Sequence, residues 1–328
     1  MKYAFIIAIL IINYNTLDRL HSPILRKDLK ISNSASCAGS NCHGGRREGE
    51  YKFWIEKDPH SLSWVTICSD KSVEIMRRLN IMKGSDIVDH DGFDNCLSCH
   101  NSVRRYKEPR TNNSNGNPYG INSFMREGVG CTSCHGPSER WINSHYRLYA
   151  STGDGFTGLS NIYVRARVCA SCHIGDKNKD LNHDVYAAGH PQLVYNFVDF
   201  HNKLPKHWTE YQIDRGTLLL AGEIAKIDSS LALMESRLAK LNSVSQWPEF
   251  ASHNCGSCHI NLGLNNDKER LDLWNRDFIK NQELGNSLDK INDYIKKGPK
   301  YKENNKELLN YIIDTRELLS GWFSGSIK

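Results

Sequence analysis

The stretch Gly128-Val129-Gly130-Cys131-Thr132-Ser133-Cys134-His135-Gly136-Pro137 decides how this chain is read. Its two cysteines stand three positions apart, and a histidine follows the second at once. The same set recurs at Cys96-Leu97-Ser98-Cys99-His100, Cys169-Ala170-Ser171-Cys172-His173 and Cys255-Gly256-Ser257-Cys258-His259. A fifth, stretched version reads Cys37-Ala38-Gly39-Ser40-Asn41-Cys42-His43. These sets use all but one of the 11 cysteines. Cys68 is left over and reads as a small buried residue, with a free thiol able to pair between molecules as the alternative.

Cys-x-x-Cys-His is the attachment signature of c-type haem. The two thiols add to the vinyl groups of one porphyrin as thioethers, and the adjacent histidine reaches the iron from one face. Zinc knuckles, redox dithiols and half-cystines of a secreted scaffold also use paired cysteines. None of them requires histidine after every second cysteine. Histidine is 14 of 328 residues, so five such placements by chance come out on the order of one in ten million. The reading is five covalent haems c, with His43, His100, His135, His173 and His259 as proximal iron ligands. The stretched motif must bulge to bring Cys37 and Cys42 to the vinyls.

Composition agrees with large apolar cofactors. The hydrophobic share is 39% and mean hydropathy is −0.55, lean beside the roughly 45–50% usual for a globular chain. Porphyrins can supply core that the side chains lack. The 42 basic and 37 acidic residues leave a formal charge of +5, spread without a basic block, so nothing points to nucleic acid. Each ferric haem with its two propionates adds roughly −1, which brings the loaded protein near neutrality.

Thioether attachment implies export. Residues 2–12 carry one lysine and an apolar stretch of signal-peptide layout, too short to span a bilayer comfortably. Residues 1–20 are therefore read as a signal peptide or a short anchor, and the protein as periplasmic or otherwise extracytoplasmic. Membrane attachment would come only through this segment.

A polar leader runs to about residue 36. Four motifs then follow within residues 33–210, separated by loops such as Asn112–Gly120. Short helices are expected around Val73–Lys83 and Arg140–Tyr149, and strand alternation is nowhere convincing. In residues 211–328 the texture changes. Leu220, Ile224, Ile227, Leu231, Met234, Leu238 and Leu241 form a heptad seam. Leu284, Leu288, Ile291 and Ile295 repeat similarly before Gly298-Pro299 stops the helix. A third helix is expected over Glu303–Leu319, with Leu308, Ile312 and Leu319 on one face. Antiparallel packing in one bundle is the first reading of these stripes, and an oligomer through an intermolecular coiled coil the second. The fifth motif lies between these helices. The fold class expected is mainly α: short helices and long loops around stacked haems, plus a C-terminal helical bundle.

Nine histidines lie outside the motifs, and four methionines follow Met1. The supply favours bis-histidine irons over His/Met ones, whose potentials would be higher. His21 sits in the leader. His60, His90, His145, His183, His190, His201, His207 and His253 remain for five irons.

The third-motif segment, with Asn143-Ser144-His145 after it, resembles the tetrahaem cytochrome c-554 family. An early motif followed by Trp54 and Asp58-Pro59-His60, and a fourth motif preceded by Arg165-Ala166-Arg167, keep the family's order. The resemblance covers about residues 36–175 and is specific at the third motif. It implies a place in the wider group of hydroxylamine oxidoreductase and pentahaem nitrite reductase, with stacked haems. It also implies distal roles for His60 and His145. His183, His190 and His207, in Asn182-His183-Asp184, Ala188-Gly189-His190-Pro191 and His207-Trp208, are similar to segments of larger multihaem relatives. His90, His201 and His253 are reserves. The four-residue spacer of the first motif and the added fifth haem depart from the family.

The function expected is electron transfer between redox protein partners along a chain of bis-histidine haems, with no catalytic residue. The alternative is an oxidoreductase acting on hydroxylamine, nitrite or NO at a five-coordinate haem. By resemblance that haem would be the one at Cys96/Cys99/His100, with His90, Asp91 and Asp94 just before it. A conduit subunit joined through the heptad helix is a third class.

Overall fold

A computed structural model describes residues 32–45, 49–101, 127–146, 154–209, 212–240, 251, 281–296 and 305–324. The segment 1–20, the loop at 112–120, Leu241, His253 and the fifth motif (Cys255, Cys258, His259) lie outside the described residues.

The described chain is mainly helical. After a short 3-10 turn at Ser34–Cys37 come α1 (Glu50–Lys57), a second 3-10 turn (Pro59–Leu62), α2 (Ser63–Ile67) and α3 (Asp70–Arg78). Asn80, at φ 56°, then turns the chain into a small antiparallel hairpin, β1 (Met82–Lys83) on β2 (Asp86–Ile87). The helix expected over Val73–Lys83 thus starts earlier, where Ser69 caps the Ser72 N–H, and stops short of the hairpin. α4 (His90–His100), α5 (Cys131–His135) and α6 (Ile162–His173) each end on a motif histidine. The helix expected from Arg140 is a run of turns through residue 146. There the His145 ring takes the Ile142 carbonyl that a continuing helix would use.

α7 (His183–Ala187) and α8 (Phe197–Lys203) lead to α9 (Arg215–Ala239), α10 (Gln282–Lys296) and α11 (Asn305–Ser324). α9 begins where Asp214 accepts from the Thr217 N–H. Its seam residues Ile224, Ile227, Leu231, Met234 and Leu238 share one cluster with Leu284, Leu288 and Ile291 of α10 and Leu308, Ile312, Leu319 and Trp322 of α11. The three stripes therefore cover one another within one chain. The opposite side of α9, through Leu218, Ala221 and Ala225, packs on Ala166 and Ala170 of α6 and Phe197 and Val198 of α8. The helix that carries the fourth motif is thereby fixed to the bundle, across the line drawn at residue 210.

A buried ion network reinforces that junction. Asp228 of α9 binds Arg167 of α6 at 2.8 Å and Arg316 of α11 at 3.1 Å, and Arg316 also binds Glu235. Cys68 departs from the expectation of burial: it caps the C-terminal end of α2 and is exposed. Among the described residues, no helix is long and apolar enough to cross a membrane.

Candidate haem-ligating site

Each of the four described motif histidines faces one histidine from outside the motifs. The ring centroids of His43 and His145 lie 6.1 Å apart, those of His173 and His60 6.3 Å, those of His100 and His190 6.4 Å, and those of His135 and His207 6.2 Å. A bound imidazole nitrogen sits about 2 Å from its metal and the ring centre about 1 Å further, so two imidazoles on opposite faces of one iron have centroids about 6 Å apart. Four separate pairs share that spacing. The ring planes are nearly parallel in one, at 16° for His43 and His145, and steep in the others, at 86°, 75° and 66°.

The rings are held from behind. His60 Nδ1 donates to Asp58 at 2.8 Å and His43 Nδ1 to Glu50 at 3.1 Å. His100 donates to the Ser63 carbonyl at 3.3 Å, His145 to that of Ile142 at 2.9 Å and His190 to that of Pro191 at 2.7 Å. The Val194 and Pro205 carbonyls lie beside the His173 and His207 rings. A ring anchored through Nδ1 offers Nε2 as ligand, and such an outer partner fixes ring orientation and raises its basicity. Burial first, then His207, His43 and His145 around it, push the His135 pKa down to about 4. That favours the neutral, ligating form.

Local backbone devices set these positions. Ser63 Oγ donates to the carbonyls of His60 and His100 and accepts from the Val129 N–H at 2.8 Å, tying two ring-bearing segments to the third motif. Gly128 lies so close beneath that a Cβ there would stand 2.3 Å from the His60 carbonyl oxygen. Gly136, at φ +85°, turns the chain away directly after His135.

The thiols converge as well. Cys37 lies beside Cys131, and Cys99 beside Cys172. Burial raises the Cys169 thiol to about 12 and the Cys96 thiol to about 11, so both stay neutral. The residues fit haem c on three counts: motif thiols beside each motif histidine, paired imidazoles at two-ligand spacing, and apolar surface beside the pairs. Leu62 and Val65 lie two residues after His60 and Ser63, Tyr146 follows His145, and Val194 carries the carbonyl beside His173; all four are exposed. A porphyrin between the rings would cover such surface.

Of the distal candidates, His60, His145, His190 and His207 stand opposite motif histidines. His183 begins α7, where Asn182 caps the helix, and the four described motif histidines are already taken by others. Among the reserves, His90 is exposed at the start of α4, and His201 is buried in α8 against Phe197. Glu50 was not singled out from sequence, and Asp58 was quoted within Asp58-Pro59-His60 without an anchoring role. The Asp-Pro-His spacing was the available signal, since an aspartate two residues before a backbone N–H caps it. Among the described residues, no group of three or more His, Cys, Asp and Glu side chains could hold a further metal ion.

A family model described as cytochrome c554 and c-prime matches residues 36–136, which carry the first three motifs. Over that stretch the chain is similar to a family of c-type cytochromes that carry electrons on covalently bound haem. No curated protein and no solved structure matches the chain.

Proposed function

We propose that the protein is an extracytoplasmic pentahaem c-type cytochrome that passes electrons between two redox proteins. Cys37 and Cys42, Cys96 and Cys99, Cys131 and Cys134, Cys169 and Cys172, and Cys255 and Cys258 would hold the porphyrins. His43 with His145, His100 with His190, His135 with His207, and His173 with His60 would be the axial pairs. His183 is the candidate left for the motif at His259. Haem iron supplies reversible one-electron chemistry, and the protein's part is to fix ligands, exclude water and set local charge.

The observation that carries this reading is the one-to-one facing of four motif and four non-motif histidines. An iron with two imidazoles has no position open to a substrate. The haem that family resemblance marks as the open one belongs to His100, and His190 faces that ring at 6.4 Å. The pairs also draw together across motifs, the first beside the third at Cys37 and Cys131 and the second beside the fourth at Cys99 and Cys172. Neighbouring haems held there give electrons a short path.

Intact mass after acid–acetone extraction should fit five covalent haems, and the oxidised protein should show at least four low-spin bis-histidine signals. A mass fitting four would remove the stretched motif. Steady turnover of hydroxylamine or nitrite by the pure protein, with a high-spin signal lost on substrate binding, would overturn the carrier reading.

A further inference from the structure

A charged side chain of opposite sign stands at each of the two places where neighbouring motifs meet. At the junction of Cys37 with Cys131 it is Glu127. Its carboxylate accepts the Ser34 N–H at 2.7 Å, and Ser34 Oγ accepts the Cys131 N–H at 3.1 Å, so one residue links Glu127 to the third motif. The negative charge acts on both thiols. At the junction of Cys99 with Cys172 the charged residue is Lys179. Its Nζ lies 3.1 Å from Cys172 Sγ and donates to Ser171 Oγ at 2.8 Å. Asp176 stands across the same turn.

Neither residue is loosely placed. The turn carrying Lys179 is closed by backbone bonds with Asp176 in both directions, at 3.2 and 3.0 Å. It starts from Gly175 at φ +123°, where a Cβ would stand 2.5 Å from the Lys179 carbonyl oxygen. The next residue, Asp180, is held by Arg237 of α9 at 2.6 Å. The Glu127 carbonyl accepts from Asn101, the residue after the second motif's histidine, at 2.8 Å.

We propose that Glu127 and Lys179 polarise the haem array. Glu127 lowers the potentials of the haems at Cys37/Cys42 and Cys131/Cys134, and Lys179 raises those at Cys96/Cys99 and Cys169/Cys172. The assignment rests on the axial pairs proposed above. The physical reason is Coulombic: the oxidised iron carries one more positive charge than the reduced one, so a nearby cation disfavours oxidation and a nearby anion favours it. Both groups are half-buried beside the motif cysteines, where screening is weaker than in open water. Electrons entering the protein then rest on the second pair. Asp58, on the His60 ring, works against Lys179 at one haem of that pair, so the rise reads most cleanly at the His100/His190 haem. Glu50, on the His43 ring, acts in the same direction as Glu127.

The test is a redox titration of the full holoprotein followed by EPR, on wild type, Lys179→Met, Lys179→Arg and Glu127→Gln. Lys179→Met should lower two midpoint potentials, and Lys179→Arg should restore them. Glu127→Gln should raise two others, among them that of the haem with near-parallel imidazoles, His43 and His145. Shifts of the same sign in both variants, shifts at the same haems, or unmoved potentials would each overturn the proposal. Lys179→Met and Lys179→Arg suffice alone if Glu127→Gln loses haem. Failure of the underlying ligation reading looks different: wild type itself would then lack four low-spin signals.

Discussion

The rings of His100 and His190 stand 6.4 Å apart at 75°, each held by a backbone carbonyl, of Ser63 and of Pro191. Both imidazoles are thus anchored through Nδ1, which leaves Nε2 of each for the iron. Carbon monoxide should bind none of the four paired haems in the reduced wild type. His190→Ala should open one iron, adding one equivalent of carbon monoxide binding and one high-spin signal at unchanged haem content. Carbon monoxide binding by wild type that His190→Ala leaves the same would show that His190 is not that ligand.

Ring planes give a second, independent reading. One pair is within 16° of parallel, and the other three lie between 66° and 86°. Parallel axial imidazoles lift the degeneracy of the iron d orbitals and give a rhombic low-spin EPR signal. Crossed ones leave it nearly intact and give a strongly anisotropic signal with a large maximal g. Oxidised protein should show one signal of the first kind and at least three of the second. His145→Ala should remove the rhombic one. Its survival would assign that signal to another haem.

Much of this was legible in the residues. The motifs name their own cysteines and proximal histidines, and the heptad seam at Ile224, Ile227 and Leu231 names the buried face of α9. The pairing was not legible. His60 precedes the second motif in sequence yet faces His173 of the fourth, while Ser63 ties its carbonyl to Val129 just before the third. Long-range closure of that kind leaves no mark in local spacing. Glu127 and Lys179 also escaped notice, since single charges between motifs look like ordinary loop polarity until the thiols beside them are seen to meet.

Gly128→Ala tests that closure. The added methyl would stand 2.3 Å from the His60 carbonyl oxygen and 2.6 Å from that of Ser61, both backbone atoms. The His60 carbonyl also accepts the Val129 N–H at 2.9 Å, so relief must move the loop that aims the ring. Overpacking of this kind costs about 1–3 kcal/mol. Chemical denaturation should show the loss, together with a partial high-spin signal at one haem. Unchanged stability with wild-type spectra would mean the loop yields without moving His60.

The seam of α9 should not join molecules. Ile227, Leu284, Leu288 and Ile312 are fully buried within one chain. Sedimentation of the holoprotein should give a monomer, and Ile227→Ala should cost about 2–5 kcal/mol by opening a cavity. A dimer that Ile227→Ala dissociates would show the seam working between chains instead.

Asp228 stands between two guanidiniums, and the outcome of changing it depends on what is changed with it. The carboxylate is 1% exposed and binds Arg167 and Arg316, each 11% exposed at the side chain. Burial pushes the Arg167 pKa down, and Asp228 opposes that push. Removing the carboxylate alone leaves two buried cations facing each other. Asp228→Ala should therefore cost about 3–5 kcal/mol. The loss should appear as a lower unfolding temperature and as earlier protease cleavage of α9, because the network joins α6 to the bundle. Replacing the group as a whole is different, since an apolar set of similar volume escapes the desolvation cost. The triple variant Asp228→Leu, Arg167→Met and Arg316→Met should recover most of the stability lost by Asp228→Ala. Glu235 would then lose its Arg316 partner, so recovery should fall short of complete unless Glu235→Gln is added. A triple variant as unstable as Asp228→Ala would show that the ions do more than satisfy one another, with haem propionates as the next partners to examine.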